Sequence, residues 1–267
     1  MIQSVFRYRF LHIEHVSALM NRSYKKVHGR LLQLVRHGFL ERIKLPFQKH
    51  IYVIGREGTN VLLERGMASP EMIDRRPRHH ELKELFLKHQ MMLVDIHCMV
   101  ELASRGTGIA LADWREGKDL WDRVTVWRDR ERVSLPVCPD AFFVLQDHSR
   151  PDGRNRLNFF LEADRSTTTH RRFERKLIAY HAYLVGGGHT RKYGIKSFRV
   201  VTVTLTPERA RNLAATACAI LPQDALKHFL FGSVDGLSLA TPSPILSDIF
   251  VSPCDLHTGA PGQRLIP

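Results

Sequence analysis

The stretch NFFLEADRSTTTHRRFERK, residues 158–176, decides the fold of the larger part of the chain. Its first half is rich in Phe and Leu and predicts a buried strand, whereas its second half predicts a basic helix. Side chains alternate along a strand, so Glu162 and Asp164 share one face while Leu161 and Ala163 take the other. The stretch therefore predicts a strand that carries two carboxylates to its end and is followed directly by a helix of cations.

A third carboxylate stands at the start of the preceding predicted strand. Asp140 lies in CPDAFFVLQ, after a proline that can begin but not continue a central strand. If the two strands pair as a hairpin, Asp140 lies beside Glu162 or Asp164. Adjacent carboxylates repel one another unless a cation neutralises them, and Mg²⁺ prefers such oxygen ligands. A divalent ion held there could polarise a phosphodiester and activate water.

The same residues also permit a purely structural interpretation. Asp140 is then a turn residue after Pro139, and the two strand carboxylates form ordinary ion pairs with arginines such as Arg165 or Arg172. In the helix, Arg172 and Lys176 stand four residues apart on one stripe, a spacing suited to contacts with phosphate oxygens. Spacing alone does not choose between a metal site and a set of ion pairs.

The elements around this stretch predict an α/β domain over residues 76–250, with an irregular tail over 251–267. A long helix comes first, then three strands, a helix and a further strand, which gives an αβββαβ core. The predicted elements lie at 80–104, 108–114, 140–146, 157–164, 168–185 and 198–205.

Residues 1–75 predict a separate winged helix-turn-helix domain. Ser23 is a plausible N-cap, Val27, Leu31 and Leu34 repeat at helical spacing, and Gly38 follows the last turn. Two short strands around a proline-containing turn come next, so the order is helix, helix and hairpin. The second helix would present polar and basic side chains to phosphates and base edges, and the hairpin would add a basic wing. The residues predicted to bind DNA here are Tyr24, Lys25, Lys26, Arg30, Gln33, Lys44 and Lys49.

The composition favours a polyanionic partner. Lys and Arg number 40 against 27 Asp and Glu, a formal net charge of +13. Contacts of such a surface with phosphates release counterions, so nucleic acid is the expected partner. The four cysteines are widely spaced and predict neither a zinc ribbon nor a disulfide framework, which is typical of a reducing cytoplasm. Neither a signal peptide nor a membrane helix is predicted.

Taken in order, these motifs resemble a known family. Their order is similar to that of the PD-(D/E)xK nuclease superfamily: a helix, a strand, PD, a gap, ExD at a strand end, and a helix that carries a lysine. The chain more narrowly resembles the replication-relaxation family of plasmid and mobile-element proteins, over roughly residues 5–250. The resemblance is carried by the predicted winged helix followed by PDAFF, FFLEADRSTTT, RRFERKLIAYHAYL and FRVVTVTLTPERARNL.

The resemblance implies a DNA-binding protein that acts in plasmid or mobile-element replication or transfer. One interpretation is that this protein is a metal-dependent endonuclease or nickase. It implies catalytic roles for Asp140, Glu162, Asp164 and Lys176, with Mg²⁺ or Mn²⁺ held by Asp140, Glu162 and Glu101. Asp164 stands where the motif has lysine, and Lys176 is the residue that could replace it. Double-stranded DNA is the implied partner, with Arg172 among its contacts.

Other readings stay open from the sequence. The alternative function is a non-catalytic replication or transcription regulator with a degenerate nuclease-like domain. A dimer of the chain and other replication or mobile-element proteins are further partners that the sequence allows, and an RNA-binding or protein-interaction module is a third class.

Overall fold

The computed structural model describes residues 1–44, 48–74, 83–128, 131–166, 169–256 and 262–266. The chain divides into two compact units, Met1–Cys98 and Met99–Pro267. The boundary near residue 76 that the sequence predicts stays a prediction. Each unit is described by itself below.

The first unit contains short helices and a two-stranded hairpin. Its helices are α1 (Ile2–Tyr8), α2 (Ile13–Met20), α3 (Tyr24–Arg36), α4 (Arg56–Glu64), α5 (Pro70–Asp74) and the first part of α6 (Glu84–Ser104), and its strands are β1 (Leu40–Ile43) and β2 (Ile51–Ile54). The strands pair antiparallel, with Leu40 opposite Ile54. The turn predicted between them lies largely outside the described residues.

Helix α3 forms because its apolar side chains repeat at helical spacing and Gly38 ends the segment. Val27, Leu31 and Leu34 are buried, and Gly38 has a φ of 73°, in the left-handed region that glycine tolerates. Near the end of the predicted first domain, Pro70–Asp74 form the short helix α5. In α6, Leu85 is 72% exposed.

The second unit is built on a mixed sheet. Its strands are β3 (Ile109–Glu116), β6 (Ala141–Asp147), β7 (Arg156–Asp164), β8 (Arg199–Thr204) and β9 (Phe229–Ser233), and a separate hairpin is formed by β4 (Asp122–Arg128) and β5 (Glu131–Val137). Within the described ranges the sheet order is β3-β6-β7-β8-β9. The first three strands run antiparallel, and β8 and β9 run parallel to β7.

Helices cover the sheet face that carries Glu162. These are α7 (His170–Val185) and α9 (Pro207–Ile220), with the short α8 (Gly188–Tyr193) between them in the chain. Phe142 and Phe160 lie directly opposite each other in the sheet and belong to one core with Phe173 of α7 and Leu213 of α9. Short 3₁₀ helices lie at Lys118–Leu120, Leu226–His228, Ser243–Leu246 and Pro253–Asp255.

The structure adds elements that the predicted αβββαβ order lacks. The β4–β5 hairpin packs against α7, and β9 extends the sheet beyond β8. Helix α8 is a further addition. In the segment predicted as an irregular tail, Gln263 pairs with Phe250 in an isolated bridge and Leu265 is buried. The observed class is a mixed α/β fold with a mixed sheet.

Candidate functional site

The antiparallel pairing of β6 and β7 brings Asp140 to the end of β7. Ala141 lies opposite Leu161, and the Asp140 N–H donates to the Leu161 carbonyl over 3.0 Å. In return the Ala163 N–H donates to Asp140 Oδ2 over 2.9 Å. The predicted meeting of Asp140 with the acidic end of β7 is confirmed, because the hairpin register places it there.

Glu162 is the centre of the cluster, and both of its oxygens are bonded. The side chain is buried between the sheet and α7. The Lys176 ammonium contacts Oε2, and the Tyr180 hydroxyl donates to Oε1 over 2.6 Å. Both partners come from one face of α7, since residues four apart on a helix lie one above the other. The lysine that the resemblance offered in place of the motif lysine therefore reaches the strand carboxylate.

The charges of this cluster depend on one another. Burial raises the pKa of the Glu162 carboxyl, an effect that the Lys176 ammonium opposes and the Asp140 carboxylate reinforces. Burial acts to lower the pKa of Lys176, but the carboxylates of Glu162 and Asp140 outweigh it and the net change is upward. Lys176 therefore stays charged at neutral pH and neutralises its acidic neighbours.

The two tyrosines of α7 serve as hydrogen-bond donors. Burial and the Glu162 carboxylate raise the pKa of Tyr180 well above its ordinary value. Tyr183 donates to Asp122 Oδ2 over 2.7 Å, and its pKa is also raised, chiefly by burial. A phenol that is harder to ionise and already donates to a carboxylate is a poor nucleophile. These hydroxyls hold acidic groups in place.

Asp164 takes a different partner from Glu162. Its Oδ2 accepts from Arg209 Nε over 2.9 Å, and the Asp164 side chain is 4% exposed. Arg209 stands in the first turn of α9, which is capped by the Thr206 hydroxyl. Asp164 thus joins β7 to α9, while Glu162 joins β7 to α7.

The remaining predicted metal ligand is Glu101, at the end of α6. Its Oε1 accepts from Arg105 Nη2 over 3.0 Å, one helical turn further on. Asp95, one and a half turns earlier, accepts from His15 over 2.6 Å within the first unit. Across the described part of the chain, no group of three or more His, Cys, Asp or Glu residues is arranged to hold a metal ion. Metal binding by Asp140, Glu162 and Glu101 stays a prediction.

Basic side chains cover the exposed side of α7 next to this cluster. Arg172 is exposed one turn before Lys176, and Arg171 and Arg175 are exposed beside it. Arg171 and Arg175 face a groove of about 390 Å³ between α7 and the β4–β5 hairpin. The groove is lined by Val126, Trp127, Val133, Leu135, Arg171, Arg175 and Ile178.

Trp127 is an exposed aromatic residue of this groove that the sequence did not single out. Its side chain is 69% exposed, and the Arg132 guanidinium lies 5.1 Å from its ring centroid. The alternation in RVTVW, residues 123–127, is the signal that predicts a strand with Val124 and Val126 on one face. Trp127 then falls on the opposite, solvent side.

In the first unit, α3 exposes the side chains predicted to bind DNA. Lys25, Lys26 and Arg30 are exposed, and Arg30 Nη1 donates to Gln33 Oε1 over 3.1 Å. The helix contains no acidic residue. Tyr24 and Lys44 are exposed as well, and so is Lys49, whose ammonium lies 2.7 Å from Glu14 Oε1.

The comparisons with known proteins place this architecture in a family. The chain matches the replication-relaxation family over residues 2–198. It belongs to that family, as the ordered motifs of the sequence indicated. Neither a curated protein nor a solved structure matches it. Within the described residues, none of the helices has the length and apolar character needed to cross a membrane.

Proposed function

We propose that the chain is a DNA-binding protein that acts in replication or DNA relaxation, the role for which its family is named. The observation that carries the proposal is the two-sided character of α3. Val27 and Leu31 anchor the helix in the first unit, while Lys25, Lys26 and Arg30 point away from that core. A helix presented in this way can enter a major groove and contact phosphates and base edges.

The element order of the first unit supports a winged helix-turn-helix. Helix α2 is followed by α3 with Asn21 in a left-handed conformation at the end of α2, and the β1–β2 hairpin comes next. In this proposal α3 is the recognition helix and the hairpin is the wing. Lys44 and Lys49 then contact the DNA backbone on either side of the wing turn.

The second unit supplies further contacts to the DNA backbone. Arg171, Arg172 and Arg175 are exposed on α7, and Trp127 offers an aromatic face at the same groove. Exposed guanidinium groups suit phosphate oxygens, and an exposed indole can stack on an unpaired base. A DNA segment held here would lie along α7, beside the Glu162 cluster.

Fluorescence anisotropy with a labelled duplex tests the proposal. Arg30→Gln is expected to weaken binding and to reduce the slope of log K against log salt concentration by about 1, because one phosphate contact is lost. Arg211→Gln is the matched control, since Arg211 is exposed on α9, a helix that carries none of the proposed contacts. If the two variants bind as tightly as the parent and their melting temperatures are native, α3 is not the DNA-binding surface.

Metal-dependent nicking is the second candidate function, and one observation favours it. Asp140, Glu162 and Lys176 meet at the end of β7, although Lys176 is 14 residues from Glu162 in the chain. Two carboxylates suit Mg²⁺, which commonly binds through one or two carboxylates together with water and substrate phosphates. Asp140 and Glu162 would hold the ion, which would polarise the phosphodiester and activate water. Lys176, released from Glu162, would contact a phosphate oxygen.

Nicking and simple binding are separated by supercoiled plasmid incubated with the protein and Mg²⁺ or Mn²⁺. Relaxed circles formed by the parent, but not by Asp140→Asn or Glu162→Gln, support the nickase. If the parent shifts plasmid in a gel and leaves it uncut with either ion, the nickase is refuted. The alternative regulator with a degenerate nuclease-like domain is then favoured, and the acidic cluster is structural.

A further inference from the structure

The β4–β5 hairpin has an inner face that packs on α7 and an outer face that does not. On the inner face, Asp122 Oδ2 accepts from the Tyr183 hydroxyl of α7 over 2.7 Å, and Val126 packs against the core. Side chains alternate along a strand, so the neighbours of these two residues point outward. The backbone of Trp121 is extended as well, which continues the alternation to the residue before β4. The outward residues on this side of the hairpin are Trp121, Arg123, Thr125 and Trp127.

The second strand of the hairpin completes this surface. In the antiparallel register Trp127, Thr125 and Arg123 lie opposite residues of β5. Those residues are, in the same order, Arg132, Ser134 and Pro136. They and the four outward residues above are all exposed, and we call these seven residues the outer hairpin face. It contains two arginines and no acidic side chain, so its charge complements an anionic partner.

Two large aromatic rings on the outer hairpin face are left in contact with water. Trp127 is 69% exposed and Trp121 is 48% exposed. The third tryptophan of the chain, Trp114, is half-buried and stacks on Phe143. An indole that is left largely exposed gives up the burial that usually stabilises it, so two exposed indoles on one face mark a surface that contacts a partner.

A cation accompanies each of these indoles. The Arg132 guanidinium lies 5.1 Å from the centroid of the Trp127 ring, and the Lys118 ammonium lies 5.8 Å from that of Trp121. Arg123, between the two indoles along the strand, donates from Nε to a serine hydroxyl of β5 over 2.9 Å, which holds its guanidinium on this face. Flat rings therefore alternate with cations along the hairpin.

This chemistry suits an unpaired strand of nucleic acid. In a duplex the bases stack on one another and present only their edges in the grooves, so an indole has no base face to contact. Unpaired bases expose their faces, and proteins bind them by stacking on aromatic side chains beside cations that contact the backbone. An acidic peptide would pair with the cations and leave the indoles without a partner. Trp121 and Trp127 are about 20 Å apart along the strand, which about six stacked nucleotides span.

We propose that the outer hairpin face binds single-stranded DNA. Trp121 and Trp127 stack on bases, and Arg123 and Arg132 contact phosphates. The proposal rests on the DNA-binding function proposed above, and it names an unpaired strand as the partner of the second unit. The duplex contacts assigned to α3 belong to the first unit and involve other residues.

Intrinsic tryptophan fluorescence of the full chain, titrated with oligo(dT), tests this proposal. Oligo(dT) does not pair with itself and is chosen long enough to reach both indoles. Saturable quenching is expected, because bases that stack on Trp121 and Trp127 quench their emission. A poly-glutamate peptide of the same charge is the matched probe and is expected to leave the emission unchanged, because it has no bases to stack.

Variants connect the binding to the hairpin, and anisotropy of labelled oligo(dT) measures their affinity. Trp127→Ala is expected to weaken binding about fivefold or more, because a base loses its stacking partner, whereas Trp127→Phe should keep part of the affinity. Arg132→Gln should reduce the slope of log K against log salt concentration by about 0.7, the value for one phosphate contact of a single strand. Arg211→Gln, on α9, is the matched control and should keep the parental slope.

A labelled duplex measured in parallel separates this proposal from the duplex binding assigned to α3. If the parent binds the duplex but not oligo(dT), only the present proposal is overturned. It is also overturned if Trp127→Ala, with a native melting temperature, keeps the parental affinity for oligo(dT). Binding of oligo(dT) that depends on Trp127, by a chain that does not bind the duplex, supports the proposal and refutes the role of α3. Equal quenching by the poly-glutamate peptide, or tighter binding of oligo(rU) than of oligo(dT), overturns single-stranded DNA as the ligand.

Discussion

Removal of the Lys176 ammonium tests the central cluster most directly. In Lys176→Met the Glu162 carboxylate stays buried, at 3% exposed, and keeps the Tyr180 hydroxyl as its hydrogen-bond donor. Breaking a buried ion pair by removal of one partner costs about 3–5 kcal/mol, since the other charge is left uncompensated. Lys176 is 30% exposed along its side chain, so we expect the lower end, about 3 kcal/mol.

The pH dependence of this loss gives a second readout. Without Lys176, the pKa of Glu162 is expected to rise further, because burial then acts with less opposition. A carboxyl whose folded pKa lies above its unfolded value destabilises the fold as pH rises and ceases to do so when it is protonated. The deficit of Lys176→Met relative to the parent should therefore shrink between pH 7 and pH 5.

Urea unfolding followed by circular dichroism measures both effects. Lys176→Arg keeps a cation and is the matched control. The double variant Glu162→Gln with Lys176→Met removes both charges and should lose less free energy of unfolding than the sum of the single variants. A loss below about 1 kcal/mol in Lys176→Met at pH 7, unchanged at pH 5, would refute the view that Lys176 neutralises a buried Glu162.

Three further predictions concern stability. Burial lowers the pKa of His97 to about 2, so the folded state favours the neutral imidazole and loses stability as pH falls below 6.5. By linkage, this group reduces the free energy of unfolding by about 2 kcal/mol at pH 5. A His97→Phe variant should lose less stability than the parent between pH 7.5 and pH 5 in denaturant melts. In Gly58→Ala the new Cβ would lie 2.2 Å from the Phe39 carbonyl oxygen, so thermal unfolding should show a free energy of unfolding lower by about 1–3 kcal/mol. In Gly29→Ala, on α3, the new Cβ meets nothing within 4 Å, and the variant should be more stable by about 0.5–1 kcal/mol. Thr206→Ala should lower the free energy of unfolding by about 1 kcal/mol, because it removes the cap of α9. Thr206→Ser keeps a capping hydroxyl and should keep most of that stability. Equal melting temperatures for the two variants would contradict the capping role.

Local pattern was sufficient for much of the fold. The Phe-rich strand before Glu162, the basic helix after it and the apolar repeat of α3 are encoded in side-chain periodicity, which depends on neighbours within one element. The β4–β5 hairpin and β9 were missed, although Val124 and Val126 of β4 alternate with polar residues. Trp127 became visible as an exposed side chain once that hairpin was in place.

Which cation meets which carboxylate was decided only by the tertiary structure. Glu162 and Asp164 are two residues apart on one face of β7, yet one contacts Lys176 on α7 and the other Arg209 on α9, 45 residues further along the chain. The sequence alone determined that carboxylates would gather at this strand end beside a basic helix. The packing of two helices on one sheet face chose their partners, because ion pairs between elements depend on strand register and helix position, which no local pattern specifies.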